Sequence, residues 1–279
     1  MLTLIVDAGA TKTDWILLDK GEIIHQITTR GYNPNYADQK VLVEILKELP
    51  DDLPVVDEIY YYGSGCGAEV NRELVRRCLK TRFKKVQEIS VTHDLMAVCH
   101  AVLGHEKGIA CILGTGANSC LYDGSDITER AVSLGYLLGD EGSGCYIGRK
   151  LVRAYFYDLM PLELKLSFHL AYNLEINEFI QRVYHQPEAS KYLAEFTKFA
   201  GEHLAHPFIQ QLIKDSFSEF IKVFVLRYKN CRTLPVSFVG SVAYAFQELL
   251  QESLDAEGLT LGKVMQSPAE GLINYYSEA

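Results

Sequence analysis

Five short segments carry side chains that could do chemistry on an anionic ligand. The first is Asp7-Ala8-Gly9-Ala10-Thr11-Lys12-Thr13-Asp14, at a strand-to-strand turn. Small residues at 8, 9 and 10 let backbone N–H groups come close to a phosphate, and Thr11, Lys12 and Thr13 add hydroxyl and ammonium donors. Asp7, at the strand end, suits a hydrated Mg2+ held against that phosphate. The octapeptide also reads as an ordinary hairpin with a solvated tip. It is neither a Walker A motif nor a G-x-G-x-x-G before a helix, which removes the P-loop and Rossmann readings.

The second segment, Leu113-Gly114-Thr115-Gly116-Ala117-Asn118-Ser119, repeats this form at an offset of about 107 residues. Two such turns could grip a triphosphate from both sides. In the third, Leu134-Gly135-Tyr136-Leu137-Leu138-Gly139-Asp140-Glu141-Gly142-Ser143-Gly144, a loop leads into a helix beginning near Ser143. Asp140 and Glu141 are either functional or simply favourable acids at a helix N-terminus, worth ~0.3–1 kcal/mol. The fourth, Val91-Thr92-His93-Asp94, lies where a strand meets a helix. A carboxylate there can take a proton from a hydroxyl while the amide dipoles keep it ionised, as a general base in phosphoryl transfer must. Helix capping by Thr92 or Asp94 fits those letters equally well. The last, Val239-Gly240-Ser241, ends an apolar strand in a turn against which a flat ligand such as adenine could lie; a plain strand-to-helix turn would look the same.

The elements that must position these segments follow one scheme twice. Leu2–Asp7, Trp15–Asp19 and Ile23–Thr28 read as a strand meander with a hairpin at Lys20-Gly21. A helix over Gln39–Leu49, a strand over Val55–Tyr62, a helix over 68–80, a strand over 86–91 and a helix over 93–103 complete the first part. Gly108–Leu113, Asn118–Tyr122 and 126–132 then repeat the meander, with Asp123-Gly124 as hairpin dipeptide. From Gly142 to about Asn230 the sequence is mainly helical, before a buried strand at Pro235–Val239 and a helix from about Val242 to Asp255. Meander followed by α/β units implies mixed sheets with helical cover.

Composition limits the function. With 27 basic and 36 acidic side chains in 279 residues the net charge is −9, so no basic face announces nucleic acid or an anionic membrane as partner. Any bound anion must be held by local donors or a metal. Seven cysteines, with no C-x-x-C pair, argue against a disulfide framework or zinc ribbon. The eight histidines show no metal-ligand spacing with acids or cysteines. No signal-peptide pattern and no stretch of roughly 18 apolar residues is present, so a cytoplasmic protein is expected.

The order of these turns resembles the actin-like ATPase and sugar kinase superfamily, and within it the BadF/BadG group that contains N-acetylglucosamine kinases. Asp7–Thr13 matches the first phosphate motif, Gly114–Gly116 the second and Val239–Ser241 the adenosine motif, with Thr92-His93-Asp94 and Gly139–Ser143 characteristic of kinase members. The resemblance implies an α/β protein of two ribonuclease-H-like lobes, each a mixed five-stranded sheet with helices, around a central cleft. The expected division is 1–104 and 105–266, with a C-terminal helix over about 267–279 packing back on the first lobe. It implies ATP and Mg2+ as cofactors and a small sugar as the other partner. Asp94 would take the proton from a sugar hydroxyl, O6 being the expected position, and Asp7 would orient Mg2+. Gly9, Ala10, Thr11, Lys12, Thr13, Gly114, Thr115, Gly116, Gly240 and Ser241 would bind the nucleotide, and Asn33, Ser64, Asn118, Gly135 and Asp140 the sugar.

Two departures stand out against animal members of the group. Leu134 takes the place of a Trp, which leaves apolar contact with an N-acetyl methyl but no stacking, and the chain is shorter. Kinases of the group are often dimers, which leaves a homodimer open. Glucosamine or glucose remain alternative acceptors. A second class of function is a nucleotide-operated switch like the dehydratase activators, which hold a cluster by cysteine thiolates; Cys120 and Cys145 lack that pattern. A third is a sugar sensor that binds without transfer, but sensors that regulate transcription usually carry a helix-turn-helix module, and none is expected here.

Overall fold

The computed structural model describes residues 1–9 and 11–277. The chain forms two compact units, one of residues 1–104 with the segment from Pro268 onward, the other His105–Ser267.

The first unit is built on β1 (Leu2–Ala8), β2 (Lys12–Asp19), β3 (Glu22–Arg30), β4 (Glu58–Gly63) and β5 (Glu88–His93), in the spatial order β3-β2-β1-β4-β5. β1 pairs antiparallel with β2 and parallel with β4, and β4 pairs parallel with β5. β1 is central because Leu4, Ile5 and Val6 are buried in succession, as a strand covered on both faces requires. The β2–β3 hairpin turns at Lys20 (φ 50°) and Gly21 (φ 86°), the two positive angles that suit the twist of the flanking strands. Helix α1 (Gln39–Glu48) starts where Asp38 accepts the Lys40 N–H at 2.8 Å, and it buries Leu42, Ile45 and Leu46. α2 (Glu69–Arg82) and α3 (Asp94–Val102) follow β4 and β5.

The second unit repeats the scheme with β6 (Gly108–Leu113), β7 (Ala117–Tyr122), β8 (Ile127–Arg130), β9 (Pro235–Val239) and β10 (Thr260–Met265), ordered β10-β9-β6-β7-β8. Its helices are α4 (Gly135–Leu138), α5 (Gly144–Phe156), a helical insert with α6–α10 between Leu162 and Phe220, α11 (Ser241–Ala245) and α12 (Gln247–Ala256). Both units therefore carry the expected ribonuclease-H-like mixed sheet. The first is completed by α13 (Ala269–Ser277), whose Gly271 lies so close to Ala101 of α3 that a Cβ would come within 2.4 Å of its carbonyl oxygen. No helix among the described residues is long and apolar enough to cross a membrane.

Several elements differ from the sequence expectation. The second strand begins at Lys12 instead of Trp15, because Thr13 and Asp14 already pair with Ala8 and Asp7 of β1. β4 starts at Glu58 rather than Val55: the Asp57 carboxylate takes the Leu2 N–H at 2.8 Å and its carbonyl takes that of Gln87, so pairing is delayed. The helix expected over Val242–Asp255 is interrupted at Phe246 (φ −117°), whose ring is buried. β10 has no counterpart in the sequence expectation; it is short and its pairing register shifts between Leu261 and Val264, which blurs the two-residue period. The C-terminal helix is confined to Ala269–Ser277 within the described residues.

Candidate active site

In the first unit the carboxyl ends of the parallel strands line up: Ala8 is in register with Gly63, and Gly63 with His93. Ligands of open α/β sheets bind outside such ends. The turn after β1 is narrower than the octapeptide suggests, running from Gly9 to Thr11, with Ala10 outside the described residues. It is tied to the next loop by Tyr32 N–H donating to the Gly9 carbonyl and Gly31 N–H to that of Thr11. Thr11 and Lys12 are exposed, whereas Thr13 is 1% exposed. The Thr13 hydroxyl has no hydrogen-bond partner among the described residues, and neither has the buried hydroxyl of Thr92. Unpartnered buried hydroxyls are unusual in a folded protein.

Asp7 stands opposite Asp14 in the β1–β2 ladder. Burial, then the charge of Asp14, pushes the Asp7 carboxyl up to about 7; Lys12 opposes this and Asp94 adds to it. Asp14 and Asp94 thus both act on Asp7 with Lys12 opposing them, a charge balance that favours a cation. No three acid, histidine or cysteine side chains among the described residues are grouped to ligate a metal. A cation here would rest on one carboxylate, with phosphate oxygens and water completing its shell. That is the usual way of Mg2+ and not of zinc or calcium.

Asp94 is the first residue of α3. Its Oδ1 accepts the Leu95 N–H at 3.0 Å and its Oδ2 accepts the Ser64 hydroxyl at 3.1 Å. Burial raises the Asp94 carboxyl above its ordinary range, while the Ser64 hydrogen bond, His93 and the Leu95 N–H pull it down. Neither Thr92 nor Asp94 caps α3: His93 is the N-cap residue, with no side-chain hydrogen bond to the helix. Asn33 accepts the Asn35 N–H at 3.0 Å and lies over the turn after β4, where a Cβ on Gly65 (φ 79°) would sit 2.2 Å from its Oδ1. Asn71 of α2 joins these loops, donating to Asn35 Oδ1 and to the Gly65 carbonyl, each at 2.8 Å. Asp7, Asp94, Ser64, Asn33 and the first turn are therefore all presented at one end of one sheet. Asp14, Thr92, Gly65 and Asn71 belong with them; the sequence places Asp14 and Thr92 in the segments without a ligand role of their own, and gives Gly65 and Asn71 none.

In the second unit three segments meet at the turn after β6. The Gly114 carbonyl accepts the Gly144 N–H at 2.8 Å and that of Thr115 accepts the Cys145 N–H at 3.1 Å, so the start of α5 is fastened to the glycine turn. Asp140 is 7% exposed, takes the Ala117 N–H at 3.2 Å, and would lie 3.1 Å from a Cβ on Gly116. Its backbone is left-handed (φ 57°), a conformation costing on the order of 1–3 kcal/mol outside glycine. What holds it there is Ser143, whose hydroxyl (2.6 Å) and N–H (3.1 Å) both donate to the Asp140 carbonyl while its Oγ caps α5. Burial raises the Asp140 carboxyl; the Ala117 N–H draws it down. Gly240 (φ 138°) closes the group: a Cβ there would be 2.2 Å from the Leu113 carbonyl oxygen. Ser241 is exposed at the start of α11.

Asn118 uses its Oδ1 on the Ser119 N–H at 2.9 Å. Gly135 (φ 71°) opens α4, expected as plain loop, on which Leu134, Leu137 and Leu138 are exposed. All seven cysteines are buried thiols outside any disulfide. A concavity of about 580 Å3 in the helical insert, lined by Tyr172, Arg182 and Tyr192 among others, contains none of the expected site residues.

The chain matches no family model and no curated protein. It does match the solved structure of a candidate N-acetylglucosamine kinase of Porphyromonas gingivalis, with 38% identity, 99% coverage of both chains and a TM-score of 0.95. The chain belongs to the N-acetylglucosamine kinase family of the BadF/BadG group. More distant structures share the fold alone: a candidate N-acetylglucosamine kinase of Chromobacterium violaceum (16% identity, 98% of both chains, TM-score 0.67) and a candidate sugar kinase of Cytophaga hutchinsonii (13% identity, 99% and 98%, TM-score 0.56).

Proposed function

We propose that the protein is an ATP-dependent sugar kinase that phosphorylates an amino sugar, with N-acetylglucosamine the acceptor and O6 the position modified. One observation carries the reading: the half-buried Asp94 carboxylate is fixed by Ser64 and Leu95 at the carboxyl end of β5, one element away from the acid-bearing turn of β1. A carboxyl raised by burial, with two donors that favour its charged form, is suited to receive a hydroxyl proton.

In this reading Asp94 takes the proton of the sugar hydroxyl as its oxygen forms a bond to the γ-phosphorus of ATP. The bond from that phosphorus to the bridging oxygen breaks, and ADP leaves. In the first unit Lys12 and the orphaned Thr13 hydroxyl beside the turn after β1 are donors for nucleotide phosphate; in the second the backbone N–H groups of Gly114–Gly116 are. The cation, when bound, neutralises phosphate charge, and Asp7 is the side chain that would orient it. In the first unit Asn33 and Ser64 are the side chains for sugar hydroxyls; in the second Asn118, Gly135 and Asp140 take that part, and Gly240 and Ser241 give the adenosine a flat backbone face. The exposed Leu134 offers an apolar contact to the N-acetyl methyl.

The test is a panel of N-acetylglucosamine, glucosamine, glucose and N-acetylmannosamine in an ADP-coupled assay, with phosphorus NMR of the product. The highest kcat/KM on N-acetylglucosamine, with a 6-phosphate product, supports the proposal. Sugar-independent ATP hydrolysis as the only activity would refute it, and iron and sulfide in anaerobically purified protein would favour the switch class instead.

A further inference from the structure

The mechanism leaves one buried charged group without a task. Asp14 is 4% exposed, in β2 three residues past the phosphate-type turn, where a second negative charge repels the very ligand the turn is built for. Its two oxygens are nonetheless committed. Oδ1 accepts the Thr28 hydroxyl of β3 at 2.7 Å, and Oδ2 accepts the Lys12 ammonium at 2.6 Å. Lys12 and Asp14 lie on the same face of β2, two residues apart, so the contact needs no backbone distortion. The lysine head remains mostly in solvent, 59% exposed against 6% for the acid.

An exposed lysine–carboxylate pair contributes little to stability, and burying a carboxylate for that end alone is unfavourable. The arrangement makes sense as a means of aiming. A lysine side chain carries rotamer entropy that must be lost when its ammonium is fixed on a phosphate. Its three donors let it keep one acceptor while offering two to another. We infer that Asp14, clamped by Thr28, is a positioning residue that pre-orients Lys12 for the nucleotide phosphates. This rests on the reading that Lys12 contacts the nucleotide.

The test is a double-mutant cycle read as affinity for a non-hydrolysable ATP analogue in the presence of MgCl2, by calorimetry on the full chain. In the native background Lys12→Ala weakens binding tenfold or more. In the Asp14→Asn background the same change costs less than threefold, because the ammonium is no longer aimed. Thr28→Val, which removes only the clamp, gives an intermediate cost and guards against a folding defect in Asp14→Asn; melting curves of all variants report on that defect directly. If Lys12→Ala costs as much or more in the Asp14→Asn background as in the native one, the inference is wrong: Asp14 would then be neutral or would hold the lysine away from the phosphate. If Lys12→Ala changes nothing in the native background while the analogue still binds, both the Lys12 reading and this inference fall, whereas the Asp94 proposal stands.

Discussion

Replacing Asp94 by Asn separates the chemistry from the scaffold. The Asn side chain has the same shape: its oxygen can accept the Leu95 N–H, and the Ser64 hydroxyl can rotate to accept from the amide NH2 in place of Oδ2. Both contacts survive, and a carboxylate whose ionisation burial opposes is removed. Stability should therefore stay within about 1 kcal/mol of the parent, a few degrees in melting temperature at most. What is lost is the acceptor for the sugar hydroxyl proton. General-base removal costs about 10²–10⁴ in rate, or roughly 3–5 kcal/mol of transition-state stabilisation. An ADP-coupled assay with N-acetylglucosamine should show kcat down by that factor, while calorimetry gives nucleotide and sugar affinities within threefold of the parent. A variant that turns over within threefold of the parent, with unchanged binding, would refute Asp94 as the base.

Ser64→Ala removes a hydrogen bond that lowers the Asp94 carboxyl. The carboxyl then rises further, so the acid limb of the kcat/KM–pH profile should move to higher pH; a fixed or lowered limb contradicts the assignment. Asp7 is raised to about 7 in the folded state, so folding binds an extra proton between roughly pH 4 and 7 and stability falls as pH rises through that window. Asp7→Asn should melt higher than the parent at pH 8, by at most about 4 kcal/mol and less after solvent screening; the gap should close toward pH 4, and phosphorylation should be lost. Gly240→Ala drives a Cβ into the Leu113 carbonyl in a left-handed region closed to alanine, so denaturation should show a loss of ~3 kcal/mol or more.

Where side-chain period and turn chemistry agree, the letters suffice. Gly108–Leu113 and Pro235–Val239 are strands over the residues expected, and the Lys20-Gly21 and Asp123-Gly124 hairpins stand where their dipeptides put them. Legibility ends where a distant partner decides the outcome. Thr13 and Asp14 read as turn because their polarity suggests solvent; pairing with Ala8 and Asp7 draws them into the sheet. Asp140 stands out among its glycines, but its left-handed backbone depends on Ser143 and the Gly114–Gly116 turn folding around it. Asn71 lies on an otherwise ordinary charged helix, and only the Asn33 and Gly65 loops give it meaning. The break at Phe246 likewise answers to a buried ring and not to any helix-breaking residue.

The unit that carries Asp94 is assembled from both ends of the sequence. Its α13 lies on α3, with the Tyr276 hydroxyl 2.6 Å from that of Tyr62 on β4 and the Ser277 hydroxyl 2.9 Å from the Gly21 carbonyl. During synthesis all of residues 105–267 are joined to the chain before that helix is made. The later-starting unit can thus close first, while the earlier one waits, incomplete and with the α3 surface beside Ala101 bare, until the final turn of helix emerges. A chain truncated after Ser267 and released from the ribosome should therefore protect the second sheet from protease better than the first.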